Sequence, residues 1–128
     1  MKILGIDYGR SKIGLALGDT DSRLAEPWKI LRYKDIKTLG EEIKKIIDGQ
    51  GVEKVVVGVS EGKMGEESNK FSLSLRKSLK IPVETFDETL STYDAQRLSI
   101  EAGIQRKKRK GMEDAYSAVL ILQSYLEA

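Results

Sequence analysis

The first eighteen residues constrain the fold of this chain more than any other segment. Residues 2–18 form two hydrophobic runs, KILGID and KIGLALG, joined by the short glycine-containing turn YGRS. Alternation along the first run places Asp7 on the same face as Ile3 and Gly5, a face that is otherwise small and apolar. A carboxylate there is costly to desolvate. Asp7 therefore either begins the turn or belongs to a hairpin that suits a bound metal ion or phosphate, with Gly9 and Gly14 allowing close approach of the ligand.

The second run predicts a strand with two different faces. Its large apolar side chains alternate with Gly14, Ala16 and Gly18. One face is therefore expected to be buried, and the other can be approached closely by a neighbouring element.

The composition excludes several classes of chemistry. The chain has no histidine and no cysteine, which excludes Ser-His-Asp and Cys-His catalysis, soft-metal sites, disulfides and thiol redox chemistry. Carboxylates and hydroxyls remain, and these hard oxygen ligands favour Mg²⁺ or Mn²⁺. Any hydrolysis is expected to be metal-assisted or carboxylate-driven.

The length and the charge of the chain limit the number of its domains and the location of its basic surfaces. Its 128 residues are expected to form a single domain, 1–128. Charged residues make up 33% of the chain but the net charge is only +2, so basic surfaces must be sought locally. Because there is no long apolar run and no signal-peptide pattern, we expect a cytoplasmic protein without a membrane partner.

The hydrophobic periodicity predicts the order βββαβαβαα, an α/β fold. We expect a mixed five-stranded sheet, three antiparallel strands followed by two parallel ones, with helices on both faces. Pro27 requires the third strand to lie at an edge. After the hairpin, the expected elements are a strand at about 25–32, a helix from 36 that ends at glycines 49 and 51, and a strand at 54–58. A glycine-rich loop at 58–65 then leads into a helix that carries Phe71, Leu75 and Leu79. A strand at 83–87 and helices at about 91–102 and 113–126 complete the order.

Carboxylates recur where strands end and where the last helix begins. Asp87 and Glu88 follow the fifth strand, and adjacent residues point in opposite directions, so either one can face a site. Asp114 heads the stripe of the last helix that contains Ala118 and Leu122. A first-turn aspartate also complements the helix dipole without any further role. Together with Asp7, one strand-end acid and Asp114 are sufficient to hold two divalent ions for phosphodiester cleavage.

The sequence RKKRK, residues 106–110, is a dense positive charge run bracketed by Gly103 and Gly111. Such a run is commonly a solvated linker. Its position just before Asp114 instead favours contact with a phosphate backbone. We expect Lys107, Lys108, Arg109 and Lys110, together with Arg10 and Lys12 in the turn near Asp7, to bind substrate.

Three motifs in order resemble those of a known family. GIDYG at 5–9 with IGLA at 13–16 looks like its opening motif, and DETLST at 87–92 resembles its Asp-Glu-Arg-Leu-(Ser/Thr)-Thr motif. KGMED at 110–114, followed by Ser-Ala at 117–118, matches its closing Lys-Gly-x-x-Asp segment. Over nearly its whole length the chain is thus similar to the YqgF/RuvX-type nucleases of the ribonuclease-H-like superfamily.

This resemblance implies a ribonuclease-H-like fold and a metal-dependent nuclease with Mg²⁺ or Mn²⁺ as cofactor. By the same resemblance Asp7, Glu88 and Asp114 are the catalytic, metal-binding acids. The implied role is trimming of the 5′ end of pre-16S rRNA, with RNA favoured over branched DNA and pre-ribosomal particles as candidate partners. The chain departs from the family at Thr89, where Arg is usual, and at 59–61, where Val-Ser-Glu replaces a segment that usually contains Leu-Pro.

Three other functions remain open. Superfamily relatives resolve Holliday junctions, which makes branched DNA the main alternative substrate. GIDYG followed by Gly14 also looks like the phosphate-binding hairpin of actin-like and sugar-kinase ATPases, although these need two lobes. A non-catalytic RNA-binding module with the same fold is the third alternative.

Overall fold

The structure, a computed structural model, describes residues 1–87 and 113–128. Glu88, the expected helix at about 91–102 and the basic run at 106–110 lie outside the described residues. The strands and helices are β1 (Lys2–Asp7), β2 (Lys12–Asp19), β3 (Leu24–Arg32), α1 (Ile36–Gln50), β4 (Lys54–Val59), α2 (Gly62–Ser78), β5 (Val83–Asp87) and α3 (Glu113–Glu127).

The five strands form one sheet in the order β3-β2-β1-β4-β5. The pairs β1–β2 and β2–β3 are antiparallel, whereas β1–β4 and β4–β5 are parallel. This confirms the predicted mixed sheet. The order follows from the connections, since short turns join antiparallel neighbours and α2 provides the crossover that parallel β4 and β5 require.

The two faces of the sheet are covered by different helices, as predicted. On one face, α1 and α2 pack on the large aliphatic side chains of β1, β2 and β4, including Leu4, Ile6, Leu15 and Val57. On the other face, α3 packs on the smaller core that contains Ile3, Ala16 and Val56. The alternation of large and small residues in the hairpin therefore determines which helices pack on each face of the sheet.

Helix α3 approaches the sheet closely because three glycines lie beneath it. We call Gly5, Gly14 and Gly18 the glycine track. A Cβ on Gly5 would lie 2.9 Å from the Leu122 Cβ, and one on Gly18 would lie 2.9 Å from the Leu122 Cδ2. A Cβ on Gly14 would lie 1.9 Å from the main-chain oxygen of Asp114. Helix α3 therefore packs on the face that was predicted to allow close approach of a neighbouring element.

Strand β3 lies at the sheet edge, as Pro27 requires. The register with β2 shifts between Leu15 and Ala16, which pair with Lys29 and Pro27. This bulge accommodates the proline, which has no N–H to donate. At the start of β3, buried Gln123 of α3 accepts from the Ala25 N–H at 2.9 Å and donates to the Arg23 carbonyl at 2.8 Å. The amide thereby ties α3 to the edge strand.

One expected element boundary was wrong by a few residues. The segment expected to remain a loop up to Gly65 is already helical from Gly62. Gly65 is needed inside the first turns of α2 because a Cβ there would lie 1.8 Å from the Ser60 carbonyl oxygen. The expected end of α1 is confirmed, since the helix runs to Gln50 and Gly51 caps it in the left-handed conformation with φ of 68°.

A polar cluster joins α3 to β4 and β5 near the C-terminal end of the helix. The Tyr125 hydroxyl donates to Glu84 Oε2 at 2.6 Å and accepts from Lys54 Nζ at 3.1 Å. Lys54 and Glu84 also form a salt bridge of 3.4 Å. The hydrogen bond from Tyr125, assisted by the Lys54 charge, lowers the pKa of Glu84 below its usual 4.5. The cluster therefore favours the ionised carboxylate.

In the part of the chain that the structure describes, no helix combines the length and the apolar character needed to cross a membrane.

Replacing Gly14 with Ala should destabilise the protein by about 1–3 kcal/mol or more, because the methyl group would overlap the backbone at the start of α3. Gly49→Ala is the matched control. That glycine is exposed in α1 with open space around its Cα, so the change should stabilise by about 0.5–1 kcal/mol. Urea unfolding of both variants measures the difference. If Gly14→Ala is as stable as the parent, α3 does not depend on the glycine track.

Glu84→Gln should reduce the loss of stability at acid pH. Because the Glu84 pKa is lowered in the folded state, the cluster stabilises the protein above the unfolded-state pKa, and this contribution disappears as the pH falls through the folded-state pKa. The side chain is 44% exposed, so the effect is at most about 1 kcal/mol. Urea unfolding between about pH 6 and pH 3 should show a shallower decline for Glu84→Gln than for the parent. The exposed control Glu53→Gln should retain the parental decline, and an equal change in both variants would contradict the assignment.

Candidate functional site

Asp7 and Asp114 come together at one end of the sheet. Asp7 is the last residue of β1 and pairs with Gly14 of β2. Cross-strand partners project to the same face, and Gly14 lies directly under the backbone of Asp114. The two carboxylates, far apart in the sequence, therefore lie on either side of a position that has no side chain.

The direct partner of Asp114 is Lys12. The Lys12 Nζ lies 3.1 Å from Asp114 Oδ2, and the two side chains are 43% and 32% exposed. Lys12 precedes Gly14 by two residues in β2 and so projects to the same face. Exposed Arg32 of β3 pairs with Lys12 in the sheet register. The carboxylates are thus bordered by cations on the β2–β3 side.

The other expected acids are only partly described. Asp87 ends β5 and is exposed, while Glu88 and the basic residues Lys107, Lys108, Arg109 and Lys110 fall outside the described residues. Within residues 1–87 and 113–128, no three acidic side chains gather closely enough to hold a metal ion. Asp7 and Asp114 are hard oxygen donors on residues that both adjoin Gly14, and the Lys12 ammonium lies directly on Asp114. This donor chemistry suits a divalent ion such as Mg²⁺.

Arg10 does not join these carboxylates. Its Nε lies 2.9 Å from Glu67 Oε2 of α2, a helix on the opposite face of the sheet from α3. The hydrogen bond and charge of Glu67 raise the pKa of Arg10 above its usual value. The guanidinium therefore ties the β1–β2 turn to α2.

Two tyrosines hold the same turn in place. The Tyr33 hydroxyl donates to the Gly9 carbonyl, and burial raises the pKa of that hydroxyl, which keeps it a donor. On the α2 side, the ring centroids of Tyr8 and Phe71 are 4.9 Å apart. The turn that follows Asp7 is consequently held by its contacts with Tyr33 and with α2. The sequence analysis missed Tyr33 and Glu67, since no local pattern indicates contacts between residues so distant in the chain.

Comparison with curated proteins finds close relatives over the full length. A protein of Halothermothrix orenii, named "Putative pre-16S rRNA nuclease", is 41% identical and the match covers 98% of this chain and 94% of the relative. A protein of the same name from Caldanaerobacter subterraneus subsp. tengcongensis is 40% identical, with 100% and 97% covered.

Among solved structures, the fold is similar to RuvC of T. thermophilus in complex with a Holliday junction substrate. The TM-score is 0.68 at 13% identity, and the match covers 97% of this chain and 91% of RuvC. At this identity the likeness concerns the fold alone, and it agrees with the expected ribonuclease-H-like architecture.

A family model described as "RuvX: Holliday junction resolvase" matches residues 1–128. The match spans the glycine track, the two carboxylates that it brings together and the expected motifs at 5–16, 87–92 and 110–118. The chain therefore belongs to the RuvX family of nucleases.

Proposed function

We propose that this protein is a divalent-metal-dependent nuclease that trims the 5′ end of pre-16S rRNA in the cytoplasm. The observation that carries the proposal is the position of Asp7 and Asp114 next to the same glycine, Gly14, in a chain whose relatives at about 40% identity are named "Putative pre-16S rRNA nuclease". Pre-ribosomal particles are then the natural partners.

The roles of the acids follow from the chemistry of phosphodiester hydrolysis. Asp7 and Asp114, with Glu88 as the third acid, would hold Mg²⁺ or Mn²⁺ through oxygen atoms. When bound, the metal activates the attacking water and stabilises charge on the phosphate and the leaving oxygen. Lys12, together with the run Lys107, Lys108, Arg109 and Lys110, would neutralise and position the phosphate backbone. Arg10 is given no substrate contact in this proposal, because its guanidinium is paired with Glu67 of α2.

Cleavage of branched DNA is the second candidate. The description of the family model names Holliday junction resolvase, whereas the likeness to RuvC concerns the fold only. The near-complete coverage of the curated relatives favours RNA.

Substrate class can be decided by incubating the pure protein with three nucleic acids. These are an RNA with the 16S 5′ leader and mature start, an unstructured single-stranded RNA and a four-way DNA junction, each with Mg²⁺, Mn²⁺ or EDTA. We expect metal-dependent cleavage of the leader RNA. Cleavage of the junction alone would establish the DNA alternative, and binding without cleavage would establish a non-catalytic module.

Asp7→Asn and Asp114→Asn should each lower metal-dependent cleavage by more than about 100-fold, because each removes a charged oxygen ligand. Asp48→Asn is the matched control, since Asp48 is exposed on α1, across the sheet from α3. Cleavage rates at saturating Mg²⁺ measure the effect, with thermal unfolding to confirm that the variants are folded. Full activity of a folded Asp7→Asn variant would remove Asp7 from the mechanism.

Replacing Lys107, Lys108 and Arg109 together with Ala should weaken RNA binding similarly for all sequences. Each lost phosphate contact should flatten the slope of log affinity against log salt by roughly 0.7 for a single strand. A control that removes the same charge is the triple alanine variant of Lys37, Lys44 and Lys45, which are exposed on α1. Binding is measured by fluorescence anisotropy with Mg²⁺ in the Asp7→Asn background. An unchanged slope would identify the run as a solvated linker.

A further inference from the structure

We propose that Lys12 is a built-in counter-cation that competes with the divalent ion for Asp114 and, once displaced, binds a substrate phosphate. The inference rests on the metal site of the proposed function and deepens it. In this inference, Lys12 couples metal binding to nucleic-acid binding.

The first support is geometric. The Lys12 Nζ lies 3.1 Å from Asp114 Oδ2, within the contact distance of a salt bridge. Both backbones are fixed, because Lys12 belongs to β2 and the backbone of Asp114 rests on Gly14 of the same strand. The pair is therefore held by the closest contact between α3 and the sheet.

The second support is the balance of charge. Asp7 pairs with Gly14, and the backbone of Asp114 lies over the same glycine, so two negative charges that repel each other lie at this end of the sheet. The Lys12 ammonium offsets one negative charge, whereas a divalent ion offsets both. A divalent ion bound to the Oδ2 atom of Asp114 repels the Lys12 ammonium, which lies 3.1 Å from that atom. The salt bridge thus opposes metal binding.

The solvent exposure of Lys12 and Asp114 determines how strongly their salt bridge lowers the affinity for the divalent ion. Both side chains are about one-third to two-fifths exposed, and salt bridges of this kind are weak. Lys12 should consequently lower the affinity for the divalent ion by about two- to fivefold. Such a competitor lowers the affinity for the divalent ion slightly and still allows the ion to bind.

Displacement leaves the Lys12 ammonium beside exposed Arg32, its partner in the β2–β3 register. Two adjacent cations without a carboxylate between them are a suitable contact for one or two phosphates of a nucleic-acid backbone. Substrate that holds Lys12 away from Asp114 should raise metal affinity, and metal should raise substrate affinity by the same factor.

The test is calorimetric titration of Mn²⁺ into the full-length protein without nucleic acid. Five proteins are compared: the parent, Lys12→Gln, Lys12→Arg, Arg32→Gln and Asp7→Asn. Lys12→Gln should bind Mn²⁺ about two- to fivefold more tightly than Arg32→Gln. Arg32→Gln is the matched control because it removes one positive charge at the neighbouring position, and no salt bridge joins Arg32 to an acid within the described ranges. Lys12→Arg retains the cation and should bind like the parent.

The outcomes separate this inference from the metal site itself. If Lys12→Gln and Arg32→Gln bind Mn²⁺ equally well, or Lys12→Gln binds more weakly, Lys12 does not compete for Asp114 and the inference is overturned. If Asp7→Asn does not weaken Mn²⁺ binding, or if neither the parent nor Lys12→Gln binds Mn²⁺, the proposed metal site fails and the inference fails with it. Mn²⁺ binding that is detected only after Lys12→Gln would support the competition.

Discussion

The contact between α3 and the glycine track is the interaction on which the rest of the structure depends. Gly5, Gly14 and Gly18 present no side chain at the three positions where α3 approaches the strands most tightly. The backbone of Asp114 can therefore lie directly on β2, next to the end of β1. A methyl group at Gly14 would overlap the backbone of Asp114. The position of Asp114 relative to Asp7 therefore requires a residue without a side chain at position 14.

The location of the site also follows from the sheet topology. Strand β1 is central, with antiparallel β2 on one side and parallel β4 on the other. After the C-terminal end of β1, the chain turns into β2 on one side of β1, whereas β4 and β5 end on the other side of β1. Clefts form at such a change in the direction of the connections. Asp7 lies at that end. The cluster of Lys54, Glu84 and Tyr125 lies at the opposite end of the sheet.

Three interactions fix the turn after Asp7 before any ligand binds. Tyr33 holds the Gly9 carbonyl, Arg10 reaches Glu67, and the ring of Tyr8 packs on that of Phe71. The Arg10 salt bridge is exposed and weak by itself, but the buried aromatic contact supplies apolar area. A carboxylate presented from a fixed turn loses little conformational freedom when it binds an ion, which is the advantage of preorganisation.

The sequence by itself determined the mixed five-stranded sheet, the helices that cover both of its faces and the strand face to which Asp7 belongs. These could be predicted because side chains alternate every two residues in strands and recur every 3.6 residues in helices, so local patterns encode faces. Only the tertiary structure decided that Lys12 pairs with Asp114, that Arg10 turns to Glu67 and that α2 begins at Gly62. Each depends on which helix lies over which strand and at what separation, and no local pattern encodes that distance. The role of Glu88 stays a prediction, because it rests on motif resemblance and not on a described contact.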